Sequence, residues 1–337
     1  MIAYTIRRIL SASVLLVILS MITFGIFTAG ARDPARQACG KNCTVTLIEQ
    51  TRKAYGYDQP ITVQYGRFVK GLFVGRDFPE DKALKKSNPE LITRCNAPCF
   101  GYSKNFTSLV FDLIKQRLPI SINVAIFAFI LWITLGISGG LVAALFRGRW
   151  PDRLLVSVSL VGYSFPTFFI GITLYTYVAL KWNLVPKPEY IPPSGDFIGF
   201  LRGAILPAVT LASIYIAAYV RLTRAYVLET MSEDYLRTAR AKGLSNRTVI
   251  FKHTLRAALT PITTIAGLDI GALLAGAAIT ETVFNFDGVG RLAVQSAQVQ
   301  DLPTNVAIVL IAATFILVAN IVVDVLYAFI DPRVKYS

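Results

Sequence analysis

The stretch SEDYLRTARAKGLSNRTVIFKHTLRAALTP, residues 232–261, is the longest polar run between two apolar segments of membrane length. Its pattern predicts two short helices in sequence. Ser232 is placed to cap the first, because a serine side chain accepts hydrogen bonds from the free amides of a helix start. Gly243 suits the left-handed conformation that closes a helix. Ser245 is placed to cap the second helix, which runs towards Pro261. Such a helix pair in a polar loop suggests a contact for a soluble partner.

Six cations make this stretch basic and permit a second interpretation. Basic loops are the norm on the cytosolic side of membrane proteins, so the run also fits a solvated loop that only follows the positive-inside rule. The pattern alone leaves both interpretations open. The cations are Arg237, Arg240, Lys242, Arg247, Lys252 and Arg256.

Several motifs occur in order along nearly the whole chain. One of them is ARAKGL at residues 239–244, which EDYLRT precedes and His253 and Pro261 follow. The others are Arg7-Arg8, Asp33-Pro34, Tyr55-Gly56-Tyr57-Asp58-Gln59-Pro60, Gly148-Arg149-Trp150-Pro151-Asp152-Arg153, Arg221-Leu222-Thr223-Arg224, Glu281-Thr282-Val283-Phe284, Gly288-Val289-Gly290-Arg291 and Asp331-Pro332-Arg333. Together they resemble the first permease subunit of bacterial ABC importers for dipeptides and oligopeptides. The general importer loop has Glu-Ala-Ala where Arg237-Thr238-Ala239 stand here, and this form is similar to the peptide branch.

The resemblance implies an all-α integral membrane protein with six transmembrane helices, the type I ABC importer permease fold, and a sizeable extracytoplasmic insertion after the first helix. It implies a permease subunit of an ATP-driven peptide importer, which forms half of the translocation pathway. The implied partners are a second homologous permease subunit, two cytosolic ATPase subunits or domains, and an extracytoplasmic peptide-binding protein. A coupling loop, residues 225–259, would contact one ATPase through Tyr235, Ala239, Arg240, Ala241, Lys242 and Gly243.

The sequence has no phosphate-binding loop of the form G-x-x-x-x-G-K-[ST]. We therefore expect no cofactor and no catalytic residue in this chain, with ATP and magnesium bound by the partner ATPases. The single histidine, His253, is interpreted as structural rather than as a metal ligand, because an isolated histidine rarely forms a metal site. No metal site is expected.

Composition places the chain in the membrane class. Hydrophobic residues make up 54% of the sequence and charged residues 16%. The net charge of +14 at first suggests a nucleic-acid partner. The cations are spread along loops, however, and no nucleic-acid-binding motif accompanies them. We therefore interpret the charge as topology and loop solvation, with membrane lipid and no nucleic acid among the partners.

Six apolar segments predict six spans. Arg7 and Arg8 precede the first span and favour a cytosolic N-terminus, so six spans put both termini in the cytosol of a bacterium, in a multi-pass protein of the plasma membrane. The predicted regions are an N-terminal helix at 1–29, an extracytoplasmic region at 30–117, and a permease core at 118–337. The spans are Ile9–Ala29, Leu118–Phe146, Leu154–Leu180, Gly203–Val220, Ala257–Thr280 and Leu302–Val323.

All four cysteines fall in the predicted extracytoplasmic region: Cys39, Cys43, Cys95 and Cys99. An even number in one oxidising compartment favours two disulfides over a zinc site. Three pairings remain possible. The stretch 78–103 is longer than the resembled family usually has there, and the sequence assigns it no role.

Two residues inside apolar spans are candidates for the pathway. Pro166 interrupts the third span, where a proline frees a backbone carbonyl that a neighbour or a water-lined cavity must satisfy. Asp269 is the only charged residue of the fifth span. A carboxylate there is costly, so it faces a cavity or a partner. A packing kink and a structural pair with an arginine or a backbone donor are the alternatives.

Other functions fit parts of the pattern. The same architecture also serves nickel or glutathione import, and the sequence does not choose among these substrates. An ion-driven secondary transporter predicts internal repeats and several intramembrane ionisable groups. The chain shows no convincing repeat and one such group, so the ATP-driven class is favoured.

Overall fold

The protein, seen in a computed structural model, is built almost entirely of helices. The structure describes residues 2–30, 33–39, 43–80 and 82–330. Its N-terminal helices are α1 (Ile2–Gly30), α2 (Pro34–Cys39), α3 (Val45–Ala54), α4 (Ile61–Val74) and α5 (Lys82–Ser87). Two small antiparallel hairpins pair β1 (Arg76–Phe78) with β2 (Thr93–Cys95), and β3 (Tyr102–Ser103) with β4 (Ser108–Leu109), with a 3-10 turn at Pro89–Leu91.

The rest of the described chain consists of long helices and short connecting ones. They are α6 (Val110–Leu145), α7 (Trp150–Ser164), α8 (Thr167–Leu174), α9 (Phe197–Met231), α10 (Asp234–Ala241), α11 (Asn246–Thr248), α12 (Leu255–Phe284), α13 (Val289–Gln298) and α14 (Leu302–Ile330). Wider π-helical segments follow α8 at Tyr175–Lys181 and α11 at Val249–Thr254. The Asp331-Pro332-Arg333 motif lies outside the described residues.

Four of these helices are long and apolar enough to cross a membrane, and a bent helix pair makes a fifth candidate span. They contain Ile6–Thr28, Val110–Leu145, Phe197–Met231 and Leu302–Val322, with the pair Trp150–Ser164 and Thr167–Lys181. Helix α12 coincides with the remaining predicted span. Its 30 residues give a length of about 45 Å, against a hydrocarbon core of about 30 Å. The predicted helical multi-pass fold is confirmed.

The third span is broken at Pro166, more sharply than the kink that the sequence predicted there. It breaks after Ser164 and bends by 102°. Phe165 is extended, with ψ of 136°, and Pro166 stands at the N-cap position of α8. The residue before a proline avoids the helical region, and proline itself donates no amide hydrogen bond. The local chemistry of this dipeptide therefore accounts for the break.

The described residues form two compact units. The first contains residues up to 119 together with 287–317, and the second contains 120–286 together with 318–330. These bounds differ from the contiguous predicted regions, because residues distant in sequence pack in the same unit. Which side of the membrane the region 30–117 occupies stays a prediction.

In the first unit, α1 packs against α4 through aromatic side chains. Phe24 and Phe68 are buried, with ring centroids 5.7 Å apart. The hydroxyls of Ser20 and Tyr65 lie 2.7 Å apart and form a hydrogen bond, so α1 makes a polar contact beside the apolar one.

The stretch 78–103 overlaps the hairpin of β1 (Arg76–Phe78) with β2 (Thr93–Cys95), which the sequence did not predict. Asp77 lies at its centre, paired with Lys85 and with Arg94, whose Nη1 is 2.8 Å from the Asp77 carboxylate. Hydrogen bonds from Lys85 and then Arg94 hold the pKa of Asp77 below its usual value. Two ion pairs of Asp77 thus stabilise the hairpin, one of them across its two strands.

The four cysteines form two local disulfides, Cys39–Cys43 and Cys95–Cys99. Their Cα atoms lie 5.9 and 5.5 Å apart, within the range that a disulfide spans. This pairing is one of the three that the sequence left open. Cys95 and Cys99 are buried beside Phe78, so the second bridge belongs to the small core of the hairpin region.

The disulfide pairing predicts the result of a mass-spectrometric experiment on the protein purified from its native membrane. Alkylation without reductant should leave all four cysteines unmodified, because every thiol is oxidised. Proteolysis should then release fragments that link Cys39 to Cys43 and Cys95 to Cys99. Alkylation after reduction is the control, and it should label all four. A link between the two pairs would contradict the structure.

Candidate functional site

The basic segment, residues 232–254, joins α9 to α12 and contains the two short helices predicted from the sequence. The first, α10, is preceded by Glu233 at its N-cap position. The prediction that Ser232 caps this helix is wrong. Ser232 instead ends α9, where its hydroxyl donates to the backbone oxygen of Glu229 at 2.6 Å. Serine bonds to a preceding carbonyl as readily as to a following amide, and the end of α9 supplies the carbonyl.

Helix α10 has a buried and an exposed face. Leu236 and Ala239 pack against Val249 and are buried. Tyr235, next to them in the sequence, is 46% exposed. Burial, and then the nearby Glu233 carboxylate, raise the pKa of the Tyr235 phenol, so its hydroxyl stays protonated and able to donate. Arg240, Ala241, Lys242 and Gly243 are all exposed.

Gly243 closes α10 in the left-handed conformation, as predicted, with φ of +79°. Its amide donates to the Arg240 oxygen at 2.9 Å, and the Leu244 amide donates to the Ala239 oxygen at 3.3 Å. These two bonds form a Schellman motif, which satisfies the last carbonyls of a helix. A Cβ on Gly243 would meet no atom within 4 Å, so the backbone conformation alone selects glycine here.

The second helix of the basic segment begins as predicted but does not end at Pro261. The Ser245 hydroxyl accepts from the Thr248 amide at 3.4 Å. From Asn246 the chain then continues through the π-helical segment 249–254 into α12, which contains Pro261. The predicted short helix and fifth span are thus one continuous helical run. Ala258 and Ile262 are buried on either side of Pro261, and their packing holds the helix together through the proline.

An open cavity of about 660 Å³ lies where α10 meets the start of this run. Its lining includes Tyr235, Phe251 and the cations Lys252 and Arg256. Phe251 is 60% exposed, which is unusual for a phenylalanine in a polar segment. His253 also lines this cavity and is partly buried. The basic segment therefore presents aromatic rings together with cations.

Asp269 lies on α12 and accepts a hydrogen bond from Tyr219 of α9, at 2.7 Å from the hydroxyl to Oδ2. Tyr219 is buried beside Trp132, which stacks on Tyr215 with ring centroids 4.4 Å apart. The partner of Asp269 is a phenol rather than the arginine or backbone donor that the sequence suggested. The Asp269 side chain is partly exposed, and its other oxygen has no partner in the described part of the chain.

The second pathway candidate, Pro166, is exposed at the start of α8. Phe165 and Phe169 stack beside it with ring centroids 5.2 Å apart. Asp269 instead lies against α9. The described contacts of Pro166 and Asp269 therefore do not place the two pathway candidates beside each other.

Comparison with known proteins agrees with this geometry. The model of the family "binding-protein-dependent transport system inner membrane component" matches residues 136–336, and that of its N-terminal part matches residues 1–125. The chain belongs to this family of transport permeases.

Relatives of this permease share its full length. A protein of Brucella abortus (strain 2308), named as a peptide transport system permease, is 33% identical over all of both chains. The glutathione transport system permease of Escherichia coli (strain K12) is also 33% identical over all of both chains. A solved structure of the MetNI methionine ABC transporter, in inward-facing conformations, matches 66% of this chain and 97% of its own with a TM-score of 0.52. At 14% identity that likeness concerns the fold alone.

The permease has a further ion pair near the basic segment that the sequence did not reveal. Both oxygens of Asp152, on α7, accept from Arg224 of α9, with Nε at 2.6 Å and Nη2 at 2.8 Å. The amide of Gly148 also donates to Asp152 at 2.8 Å. Asp152 is 4% exposed, so these donors must offset the cost of removing its carboxylate from water. The pair clamps the start of α7 to α9 two turns before α9 ends.

Glycines let α6 approach α9 at the same level. A Cβ on Gly136 would lie 2.6 Å from the Tyr219 side chain, and one on Gly140 would lie 2.6 Å from the Val220 oxygen. Backbones this close require small residues. The spacing of Gly136 and Gly140 by four residues is visible in the sequence and was the available signal for this contact. Helices α6, α7 and α9 are therefore joined just before the basic segment.

The ion pair predicts a strong, non-additive effect on stability. Arg224→Ala should lower the stability of the permease by about 3 kcal/mol, because it leaves the buried Asp152 carboxylate without its partner. Asp152→Ala should cost less, since the Arg224 side chain that it leaves behind is 29% exposed. The double variant should cost little more than Arg224→Ala alone. Thermal unfolding in detergent measures this effect. Arg153→Ala, which removes an exposed neighbouring cation, is the control and should stay within about 0.5 kcal/mol. Additive single effects would contradict a direct pair.

Proposed function

We propose that this chain is one of two permease subunits of an ATP-driven importer of peptides, and that its basic segment couples it to a cytosolic ATPase. The observation that carries the proposal is the continuous helical run from Asn246 to Phe284. A displacement of the exposed end of this run reaches the part of the chain that contains Asp269 without crossing a flexible joint. Full-length relatives named as peptide permeases support the substrate class.

The proposed ATPase contact consists of residues exposed on and after α10. Tyr235 and Arg240 offer hydrogen-bond donors, and Lys242 adds a second cation. Ala241 and Gly243 allow close approach, because neither has a long side chain. Ala239 is buried against Val249 and supports the contact from below. None of these residues reacts with ATP, which the partner ATPases bind together with magnesium.

The proposed topology places both termini and the basic segment in the cytosol of a bacterium. The basic turn at 147–153 and the cations between 221 and 256 support this orientation through the positive-inside rule. Residues 30–117 then lie on the extracytoplasmic side, where a peptide-binding protein releases its peptide to the permease. Two disulfides in this region agree with an oxidising compartment. A second homologous permease would complete the pathway.

Asp269 is proposed to line this pathway and attract the ammonium end of a peptide. Its bond to Tyr219 holds one oxygen, and the partial exposure of the side chain leaves the other accessible. Hydrocarbon is a costly environment for a carboxylate, so the exposed side must face water or a partner chain. Pro166 is the second proposed pathway residue, since it is exposed at a helix break inside a span, where a wet cavity would satisfy the backbone groups of the helix ends.

Glutathione is the second candidate substrate. The Escherichia coli glutathione permease covers this chain completely at the same 33% identity as the Brucella peptide permease. Glutathione is itself a small peptide with a free ammonium group, so the role proposed for Asp269 applies to both substrates. Competition between glutathione and a dipeptide for uptake would distinguish them.

The first functional prediction concerns Gly243. Gly243→Val should lower peptide uptake at least tenfold, because a β-branched residue at positive φ costs about 1–3 kcal/mol and disfavours the end of α10. Uptake and peptide-stimulated ATPase activity are measured in the assembled complex, reconstituted in liposomes.

Two further substitutions at Gly243 form a graded control. Gly243→Asn should keep most of the activity, since asparagine tolerates the left-handed conformation, and Gly243→Ala should fall between asparagine and valine. All three should assemble with the ATPases. An unchanged rate for the valine variant would reject the proposed coupling contact.

The second functional prediction concerns Asp269. Asp269→Asn keeps the shape of the side chain and removes its charge. If Asp269 meets the peptide ammonium, the apparent KM for a free dipeptide should rise about tenfold, which corresponds to about 1.4 kcal/mol. Uptake of an N-acetylated peptide should not change. Assembly and melting temperature should stay near those of the original protein.

Tyr219→Phe is the matched control, because it removes the hydroxyl that holds Asp269 and keeps the buried ring. A purely structural pair predicts that both variants lower the melting temperature and that the double variant costs no more than either one. That outcome, with unchanged uptake at limiting peptide, would reject the pathway role of Asp269.

A further inference from the structure

An apolar groove runs between α6, α9 and the loop before α9, within the second unit. Phe127 and Leu131 of α6 form one wall, and Leu201 and Ile205 of α9 form the other. Loop residues 184–186 close one end. The groove is open and has a volume of about 580 Å³, which is in the range of small-molecule sites. Among the described residues, Arg202 is the one charged residue of its lining.

The surroundings of the groove match the boundary between hydrocarbon and water. Trp182 and Phe197 are 61% and 60% exposed. The Lys181 ammonium lies over the Tyr177 ring, 4.5 Å from its centroid. Exposed tryptophan and tyrosine next to a cation are typical of the interfacial layer of a bilayer. Ile198, 61% exposed one residue after Phe197, continues this apolar rim. Residues typical of the interfacial layer thus flank in sequence the two segments, 184–186 and 201–205, that line the groove.

Arg202 lines the groove, is exposed and forms no ion pair with any residue that the structure describes. A long arginine side chain lays its methylene stem along an apolar wall and keeps the guanidinium in the polar layer. The planar guanidinium suits the oxygens of a phosphate, which it binds through two parallel hydrogen bonds. The groove therefore combines an apolar channel with a phosphate-binding group at its edge.

We propose that this groove binds one anionic phospholipid, with an acyl chain between Phe127, Leu131, Leu201 and Ile205 and the phosphate on Arg202. The apolar walls fit an acyl chain, whereas a free phosphate ion would use Arg202 alone. The exposed apolar rim, with residues typical of the interfacial layer, favours lipid over a polar protein surface as the occupant. The site is separate from the basic segment and from Asp269.

The test is native mass spectrometry of the complete transporter, purified in mild detergent and titrated with phosphatidylglycerol or phosphatidylcholine. The original protein should bind phosphatidylglycerol at least tenfold more tightly than phosphatidylcholine. Arg202→Gln should abolish this preference. Lys187→Gln removes an exposed cation of the same loop that does not line the groove, and it should retain the preference.

A second variant tests the acyl-chain part of the site. Leu184 lines the groove and is 69% exposed, so Leu184→Asn should leave the fold intact and weaken binding of both lipids severalfold. In nanodiscs, phosphatidylglycerol should raise the melting temperature of the original protein and of Lys187→Gln, but not that of Arg202→Gln.

Three outcomes would overturn the proposal. The first is equal binding of phosphatidylglycerol by the original protein and Arg202→Gln. The second is displacement of the lipid by millimolar inorganic phosphate, which would assign the site to a soluble anion. The third is loss of the second permease subunit from the Arg202→Gln complex with lipid binding unchanged, which would mean that a protein covers the groove.

Discussion

The close approach of α6 and α9 is the contact on which the second unit depends. Lipid tails are as apolar as leucine, so burial of apolar side chains does not drive helices together in a membrane, and tight packing must do so. Gly136 and Gly140 provide that packing, because any side chain there would collide with Tyr219 or Val220. Beside this seam, the Asp152–Arg224 pair fixes α7 to α9, and the Tyr219–Asp269 bond fixes α9 to α12. The glycine contact and the two polar contacts together join α6, α7 and α12 to α9.

The features that followed from the sequence are those governed by local rules. Gly243 adopts positive φ and Ser245 caps a helix, because each depends only on the few residues around it. The helical spans coincide with the apolar segments for a similar reason, since hydrocarbon forces the backbone to satisfy its own hydrogen bonds. The four short strands between Arg76 and Leu109 escaped prediction, because strands of two or three residues leave no measurable periodicity.

The features that could not be predicted depend on contacts between distant residues. Arg224 is 72 positions from Asp152, and Tyr219 is 50 positions from Asp269, so neither pair has a sequence signature. The union of the second short helix with the fifth span into one run through Pro261 was not predicted, and burial of Ala258 and Ile262 accompanies it. The cysteine pairing was open for the same reason, because three connectivities are chemically equivalent until the chain is folded.

The π-helical segment at 249–254 determines how the side chains of the following helix, α12, are rotated about the helix axis. A π turn contains one residue more than an α turn, and each residue of an α-helix advances the side chain by about 100°. The angular position of Asp269 around the axis of α12 is consequently determined by the π-helical segment, which ends about 15 residues earlier. An uninterrupted α-helix would carry the same carboxylate away from Tyr219 and turn an apolar side chain towards it. The π-helical segment thus sets the rotation of α12, and its one additional residue determines which side of α12 carries the Asp269 carboxylate.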